Sequence, residues 1–135
     1  MAKLDVLLIS PSSRGDVYQS LGNELVAIEP PVWAGLIATF LRNRGHEVDI
    51  LDAEGLELTH KEAAKRIAAA NATLNVFVVY GHQPSASTQC MPAGRALCKA
   101  LLELKKEEKT IVMGTHSSAL PERTLRDEPY NFVCE

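Results

Sequence analysis

Short apolar runs alternate with helix-patterned segments along this sequence, and that alternation restricts the possible folds more than any other feature. The first run, residues 3–9, is almost continuously apolar, which is typical of a strand buried on both faces of a sheet. Four later runs also have strand character: residues 46–51, 74–79, 110–113 and 131–134. Strands separated by helices predict one parallel sheet with helices on both faces, joined by right-handed crossovers.

The segments between these runs carry helix signals. Pro30 and Pro31 begin the first helix, because proline costs little in a first turn, and Gly45 ends it. Thr59 and Glu62 form a capping box before an alanine-rich second helix that ends near residue 71. A polar stretch over residues 80–88 precedes the third helix, and a short fourth one begins at residue 121. Apolar spacing predicts that the first helix packs on the sheet through Trp33, Leu36, Ile37, Phe40 and Leu41.

Five strands without a long insertion predict a flavodoxin-like (Rossmann-like) α/β fold, a doubly wound parallel sheet with strand order 2-1-3-4-5. In that order the loops that begin at Ser10, Tyr80 and Gly114 gather at the carboxyl edge of the sheet, where ligands bind. The small polar turn over residues 114–121 lets backbone amides approach a ligand, so we interpret it as one wall of a cofactor site. The loop over residues 10–29 is unusually long, and both a functional role and a plain surface role stay open.

Composition narrows the function classes. The chain has 135 residues, enough for one domain but not two, and 46% of them are hydrophobic. A formal charge of −3 argues against nucleic acid and anionic membranes as partners. The apolar run near the amino terminus is too short for a signal peptide or a membrane span, so we expect a cytoplasmic protein. Three scattered cysteines argue against a disulfide framework, and Cys90 and Cys98 are expected to pack as small hydrophobes instead of binding metal.

The sequence lacks the residues that several common kinds of functional site require. Strand three ends in Val79 and Tyr80, where a phospho-receiver domain needs an aspartate, and neither a P-loop nor a Gly-x-Gly-x-x-Gly fingerprint is present. Residues 12–15 approximate a flavodoxin phosphate loop only loosely. Serines near His82 and His116 have no carboxylate to orient an imidazole, so we assign no catalytic residue. These two histidines remain candidates either for ligand contact or for ordinary loop positions.

Three groups of residues together resemble a known family. They are the double proline at positions 30 and 31, the run Gly45, His46, Glu47 and Val48, and the turn Gly-x-His-x-x-Ala-Leu-Pro over residues 114–121. In this order and spacing they resemble the amino-terminal cobalamin-binding domain of cobalamin-dependent radical S-adenosylmethionine enzymes. The resemblance covers nearly the whole chain.

That resemblance implies that residues 1–135 form one cobalamin-binding domain, the front piece of a longer enzyme and not catalytic by itself. In the family, a following barrel domain carries a [4Fe-4S] cluster, cleaves S-adenosylmethionine and performs methylation or ring formation. The Asp-x-His-x-x-Gly motif is absent, so no histidine–cobalt bond is expected, and Met113 stands where a glycine is usual. The implied cofactor-binding residues are Ser10, Pro11, Ser12, Tyr80, Gly81, His82, Gly114, Thr115, His116, Ser117 and Ser118.

Two other classes of function stay open. The stretch over residues 41–51 also resembles the amino-terminal half of two-domain glycosyltransferases, although their glycine-rich turn after strand one is not found here. An interaction domain without a cofactor is the third possibility. The sequence ends just after strand five without a closing helix, which indicates the front piece of a longer protein. Apolar surface exposed where the rest of the parent would dock is expected to favour weak self-association.

Overall fold

The structure is a computed structural model of the chain, and it describes residues 3–15, 27–81 and 84–135. Within these ranges, five strands form one sheet in which every pairing is parallel. The sheet order is β2-β1-β3-β4-β5, which confirms the predicted flavodoxin-like fold. The strands are β1 (Val6–Ser10), β2 (Val48–Asp52), β3 (Leu74–Val78), β4 (Thr110–Met113) and β5 (Phe132–Val133).

The helices bounded within the described ranges are α1 (Val32–Arg42), α2 (His60–Ala70), α3 (Pro84–Leu104), α4 (Thr115–Ala119) and α5 (Pro121–Asp127). Two of them differ from the prediction. Residues 84–88, which were predicted as part of a loop over residues 80–88, already belong to α3. Proline is favourable in the first turn of a helix, and hydroxyl side chains can hydrogen-bond to the preceding backbone. The turn after Gly114 is a helix of five residues, α4. None of the helices in the described ranges is long and apolar enough to cross a membrane.

The capping box before α2 is confirmed. Thr59 Oγ1 accepts a hydrogen bond from the Glu62 backbone N–H at 3.3 Å, and Glu62 Oε2 accepts one from the Thr59 N–H at 2.9 Å. These bonds to Thr59 lower the pKa of Glu62. Asn71 ends the helix in the left-handed conformation, as expected of a carboxyl-terminal cap. The box fixes the start of α2 beside the carboxyl end of β2.

The core has one apolar layer on each face of the sheet. Side chains alternate along a strand, so Ile9 and Phe77 enter one layer while Leu8 and Val76 enter the other. The first layer contains residues of α2 and α3, among them Ile67 and Leu97 at 0% exposure. The second layer contains residues of α1 and the strands. The carboxyl ends of the strands therefore lie between α1 on one side and α3 on the other.

The face of α1 that packs on the sheet is not the predicted one. Ala34 and Ala38 are fully buried there, with Ile37 and Leu41 packed at the margin. Their small side chains let the helix approach the sheet closely. Apolar residues occupy more of the surface of α1 than the part that contacts the sheet. The prediction was therefore wrong for three of its five residues, which are half exposed: Trp33 at 51%, Leu36 at 59% and Phe40 at 54%.

Candidate functional site

A cavity of about 490 Å³ lies at the carboxyl ends of β1 and β3, where Ser10 and Val78 form part of its wall. Its volume lies in the range of small-molecule sites. The sheet order reverses direction between these two strands, and open α/β sheets bind ligands at such switch points. Position alone therefore makes this cavity the candidate site.

Aromatic and apolar residues form the α1 side of the cavity. Trp33, in the first turn of α1, stacks on Tyr80, two residues beyond β3, with ring centroids 4.8 Å apart and planes 19° apart. Pro30, Pro31 and Val32 continue this wall toward the amino end of the helix. Because Trp33 is half exposed, the stacked pair presents a flat apolar surface to whatever occupies the cavity.

Polar residues from three segments form the opposite side. The Arg14 backbone N–H donates to Glu54 Oε1 at 2.7 Å, which joins the loop after β1 to the segment after β2. Cys90 of α3 donates its thiol to Ser13 Oγ at 3.4 Å. Burial raises the pKa of the Cys90 thiol, so it stays neutral near pH 7 and serves as a weak donor. Gln89 lines the cavity next to it.

The loop after β4 is fastened to the end of β3. Ser87 Oγ donates to the Val79 carbonyl at 2.6 Å and accepts a hydrogen bond from the His116 backbone N–H at 3.1 Å. Gly114 adopts φ 156° and lies against the same carbonyl, so that a Cβ there would overlap the Val79 backbone. His116 Nδ1 lies 2.9 Å from Thr88 Oγ1, within hydrogen-bonding distance. The loop is thus held by contacts within the protein.

The predicted site residues that the structure describes lie at or just after the carboxyl ends of β1, β3 and β4, at one edge of the sheet. Of those described, Ser10, Tyr80 and Gly81 line the cavity. Pro11 is buried and Ser12 half-buried in the loop after β1, outside the lining. His82 lies outside the described residues.

The α4 residues lie beyond the cavity wall. Ser117 is buried and donates its hydroxyl to the Gly114 carbonyl at 3.0 Å, whereas Ser118 is exposed. Thr115 and His116 are half-buried. The structure thus brings one group of predicted residues together in the cavity and leaves a second group beside it.

Several cavity residues were not predicted: Arg14, Trp33, Glu54, Gln89 and Cys90. The double proline was the available signal for Trp33, because it places the first turn of α1 close to the end of β1. Nothing in the sequence pairs Arg14 with Glu54, which are forty residues apart. In the described ranges, no group of three histidine, cysteine or acidic side chains is arranged to hold a metal ion.

An open parallel sheet with a cavity at its switch point defines this chain as a flavodoxin-like ligand-binding domain. The family model of the B12 binding domain matches residues 18–135, and the chain belongs to that family. Comparison with curated proteins and with solved structures gave no match.

The cavity is compatible with part of a corrinoid. A corrinoid joins an apolar macrocycle to a rim of amide groups and a planar base, and the cavity pairs an aromatic wall with hydroxyl, amide and guanidinium groups. None of the described lining residues is a histidine, and His116 has Thr88 within hydrogen-bonding distance. The described part of the cavity therefore suits the body of the ligand without offering an imidazole to cobalt.

Proposed function

We propose that this chain binds cobalamin in the switch-point cavity, with Ser10, Tyr80 and Gly81 in contact with the cofactor. The observation that carries this proposal is the coincidence of three of the predicted residues with a cavity at the switch point of a B12 binding domain. Cobalamin, when bound, supplies a cobalt centre that can carry a methyl group. The residues of the chain bind and orient it.

Trp33 and Gln89 extend the proposed contact surface. The exposed half of the Trp33 ring would pack against apolar parts of the cofactor, and Tyr80 holds that ring by stacking on it. Gln89 and Ser10 would bond the amide groups of the corrinoid rim, because both side chains can donate and accept. Gly81 supports the site differently, since a Cβ there would overlap Ala86 and displace the start of α3.

The remaining predicted residues belong to the proposal with less structural support. We place Pro11, Ser12 and His82 beside the corrin edge, as the family resemblance implies. Exposed Ser118 and half-buried Thr115 and His116 would meet the nucleotide tail or corrin amides from the β4 side. Gly114 and Ser117 would act by shaping that loop, because Ser117 donates its hydroxyl to the Gly114 carbonyl.

We further propose that the parent protein is a cobalamin-dependent radical S-adenosylmethionine enzyme of the methyltransferase or cyclase type. The double proline, the Gly-His-Glu-Val run and the Gly-x-His turn support this parent. A following barrel domain would supply the [4Fe-4S] cluster and S-adenosylmethionine. The test is the parent gene: a Cys-x-x-x-Cys-x-x-Cys sequence downstream supports the proposal, and a glycosyltransferase-like second half contradicts it.

Binding can be tested by titrating the protein with hydroxocobalamin and following the corrin absorbance. We expect a saturable change with one equivalent bound. Trp33→Ala should weaken binding about tenfold, because stacking and apolar burial on a tryptophan together contribute roughly 1.5 kcal/mol or more. Phe40→Ala is the matched control, since Phe40 lies on the same helix with the same exposure but outside the cavity lining. Absence of saturation, or equal effects of both variants, would refute the assignment of the cavity.

A further inference from the structure

The segment over residues 10–14, which leaves β1 and forms part of the cavity wall, is attached to the protein at both of its ends. At its start, the Ser10 carbonyl accepts a hydrogen bond from the Ala53 backbone N–H at 3.0 Å. At its end, the Arg14 backbone N–H donates to Glu54 Oε1 at 2.7 Å. Ala53 and Glu54 are consecutive residues, so one short piece of chain after β2 binds both ends of the segment.

The chain that carries Glu54 is itself fixed by burial and by backbone hydrogen bonds. Ala53 is only 2% exposed, and its carbonyl accepts a hydrogen bond from the Leu58 N–H at 2.9 Å. The Asp52 carbonyl accepts one from the Leu56 N–H at 3.1 Å, which closes the turn after β2. The Glu54 carboxylate therefore extends from a well-anchored backbone toward the segment over residues 10–14.

The two attachments differ in kind. The bond from Ala53 joins two backbone groups and continues the pairing of β1 with β2, whereas the bond to Arg14 is accepted by a side chain. A hydrogen bond to a carboxylate is stronger than one between neutral groups. Ser13, between the two ends, accepts a bond from the Cys90 thiol, which is a weak donor. Removal of the Glu54 carboxylate would thus keep the start of the segment in place and loosen its end.

We propose that Glu54 is a positioning residue for the cofactor, whose carboxylate holds Ser13 and Arg14 in the cavity wall before the ligand binds. This inference rests on the proposed binding of cobalamin in the cavity. Ser10, Ser13 and Arg14 all line it, so a segment anchored only at its start would present them together for only part of the time. Apparent affinity falls in proportion to the fraction of molecules in the binding-competent arrangement, and a fraction of about one tenth raises the dissociation constant about tenfold.

Two measurements on Glu54→Ala test the proposal. In the free protein, hydrogen exchange followed by ¹H–¹⁵N NMR should show the Arg14 amide exchanging about tenfold faster than in the wild type, because it has lost its acceptor. Titration with hydroxocobalamin, followed by the corrin absorbance, should give a dissociation constant about tenfold higher. Glu54→Gln should stay within about threefold of the wild type in both measurements, since its amide oxygen can accept the same bond.

Two control variants separate positioning from other effects. Glu57→Ala removes a carboxylate of the same segment that lies 3.5 Å from Arg14 Nη2 but is 70% exposed and outside the cavity lining, and exposed ion pairs contribute little. Asn131→Ala removes a side-chain acceptor of another backbone N–H, that of Thr110 at 2.9 Å, at the amino end of β4 and away from the cavity. Both variants should bind hydroxocobalamin as the wild type does.

The other outcomes overturn the proposal, each for its own reason. Unchanged affinity in Glu54→Ala, or unchanged exchange of the Arg14 amide, would show that the carboxylate does not hold the segment. A Glu54→Gln protein that binds as weakly as Glu54→Ala would show that the negative charge acts on the ligand directly. Equal weakening by Asn131→Ala would assign the effect to a general loss of stability. A wild-type protein that binds no hydroxocobalamin would refute the proposed function itself, and this inference with it.

Discussion

Replacement of Gly114 by alanine tests how the β4 loop is fastened to β3. Gly114 has φ 156° and ψ 173°, a backbone region essentially restricted to glycine, and a non-glycine residue held there costs about 1–3 kcal/mol. The added Cβ would also lie 2.9 Å from the Val79 carbonyl carbon and 3.0 Å from Ser87 Oγ. Overpacking of this kind costs a further 1–3 kcal/mol or so. We therefore expect Gly114→Ala to destabilise the domain by roughly 2–6 kcal/mol.

Urea unfolding followed by far-UV circular dichroism measures this loss directly. Gly35→Ala is the matched control, because Gly35 lies inside α1 with nothing within 4 Å of a built Cβ. Alanine there should stabilise the domain by about 0.5–1 kcal/mol, by reducing the entropy of the unfolded chain and favouring the helix. The two substitutions should thus have opposite signs. A Gly114→Ala protein as stable as the wild type would show that the loop after β4 is not packed on Val79 as described.

Two further predictions concern stability. Thr59→Ala should cost about 1 kcal/mol in thermal or urea unfolding, because it removes the cap of α2, and an unchanged midpoint would contradict that role. Burial raises the pKa of Cys98 from its ordinary value of 9.0 to about 11, so the folded state holds a proton that the unfolded state releases. The stabilisation that comes from the neutral Cys98 thiol should therefore be fully present below pH 9. The free energy of unfolding should fall by roughly 2 kcal/mol as the pH rises to 11. Cys98→Ala should reduce this dependence of stability on pH. Part of the dependence should persist in that variant, because burial also raises the pKa of Tyr130.

The strands and their order followed from local pattern and topology rules. The runs at 74–79 and 110–113, rich in apolar and β-branched residues, are bounded by helix and turn signals. The order 2-1-3-4-5 is a common arrangement of five such strands. The packing face of α1 did not follow, because an apolar pattern wider than one contact does not say which part touches the sheet. Ala34 and Ala38 make that contact, and the bulkier Trp33 stays half exposed.

The candidate site was predictable only as far as topology determines it. Ser10, Tyr80 and Gly81 follow strands that flank the switch point, so their meeting at the cavity follows from the strand order. The stacking of Trp33 on Tyr80 and the bond from Arg14 to Glu54 are contacts between distant segments. These contacts depend on how the helices and loops pack on the sheet, which the spacing of residues in the sequence does not predict.

The central claim is that cobalamin occupies the cavity between β1 and β3. The most direct measurement is a ¹H–¹⁵N NMR spectrum of the labelled protein recorded with increasing hydroxocobalamin. Saturable shifts should concentrate on the Ser10, Tyr80 and Gly81 amides and the indole N–H of Trp33, the single tryptophan of the chain. Shifts confined to Lys99 on the outer surface of α3 and Lys106 just after that helix, or none at all, would contradict the claim.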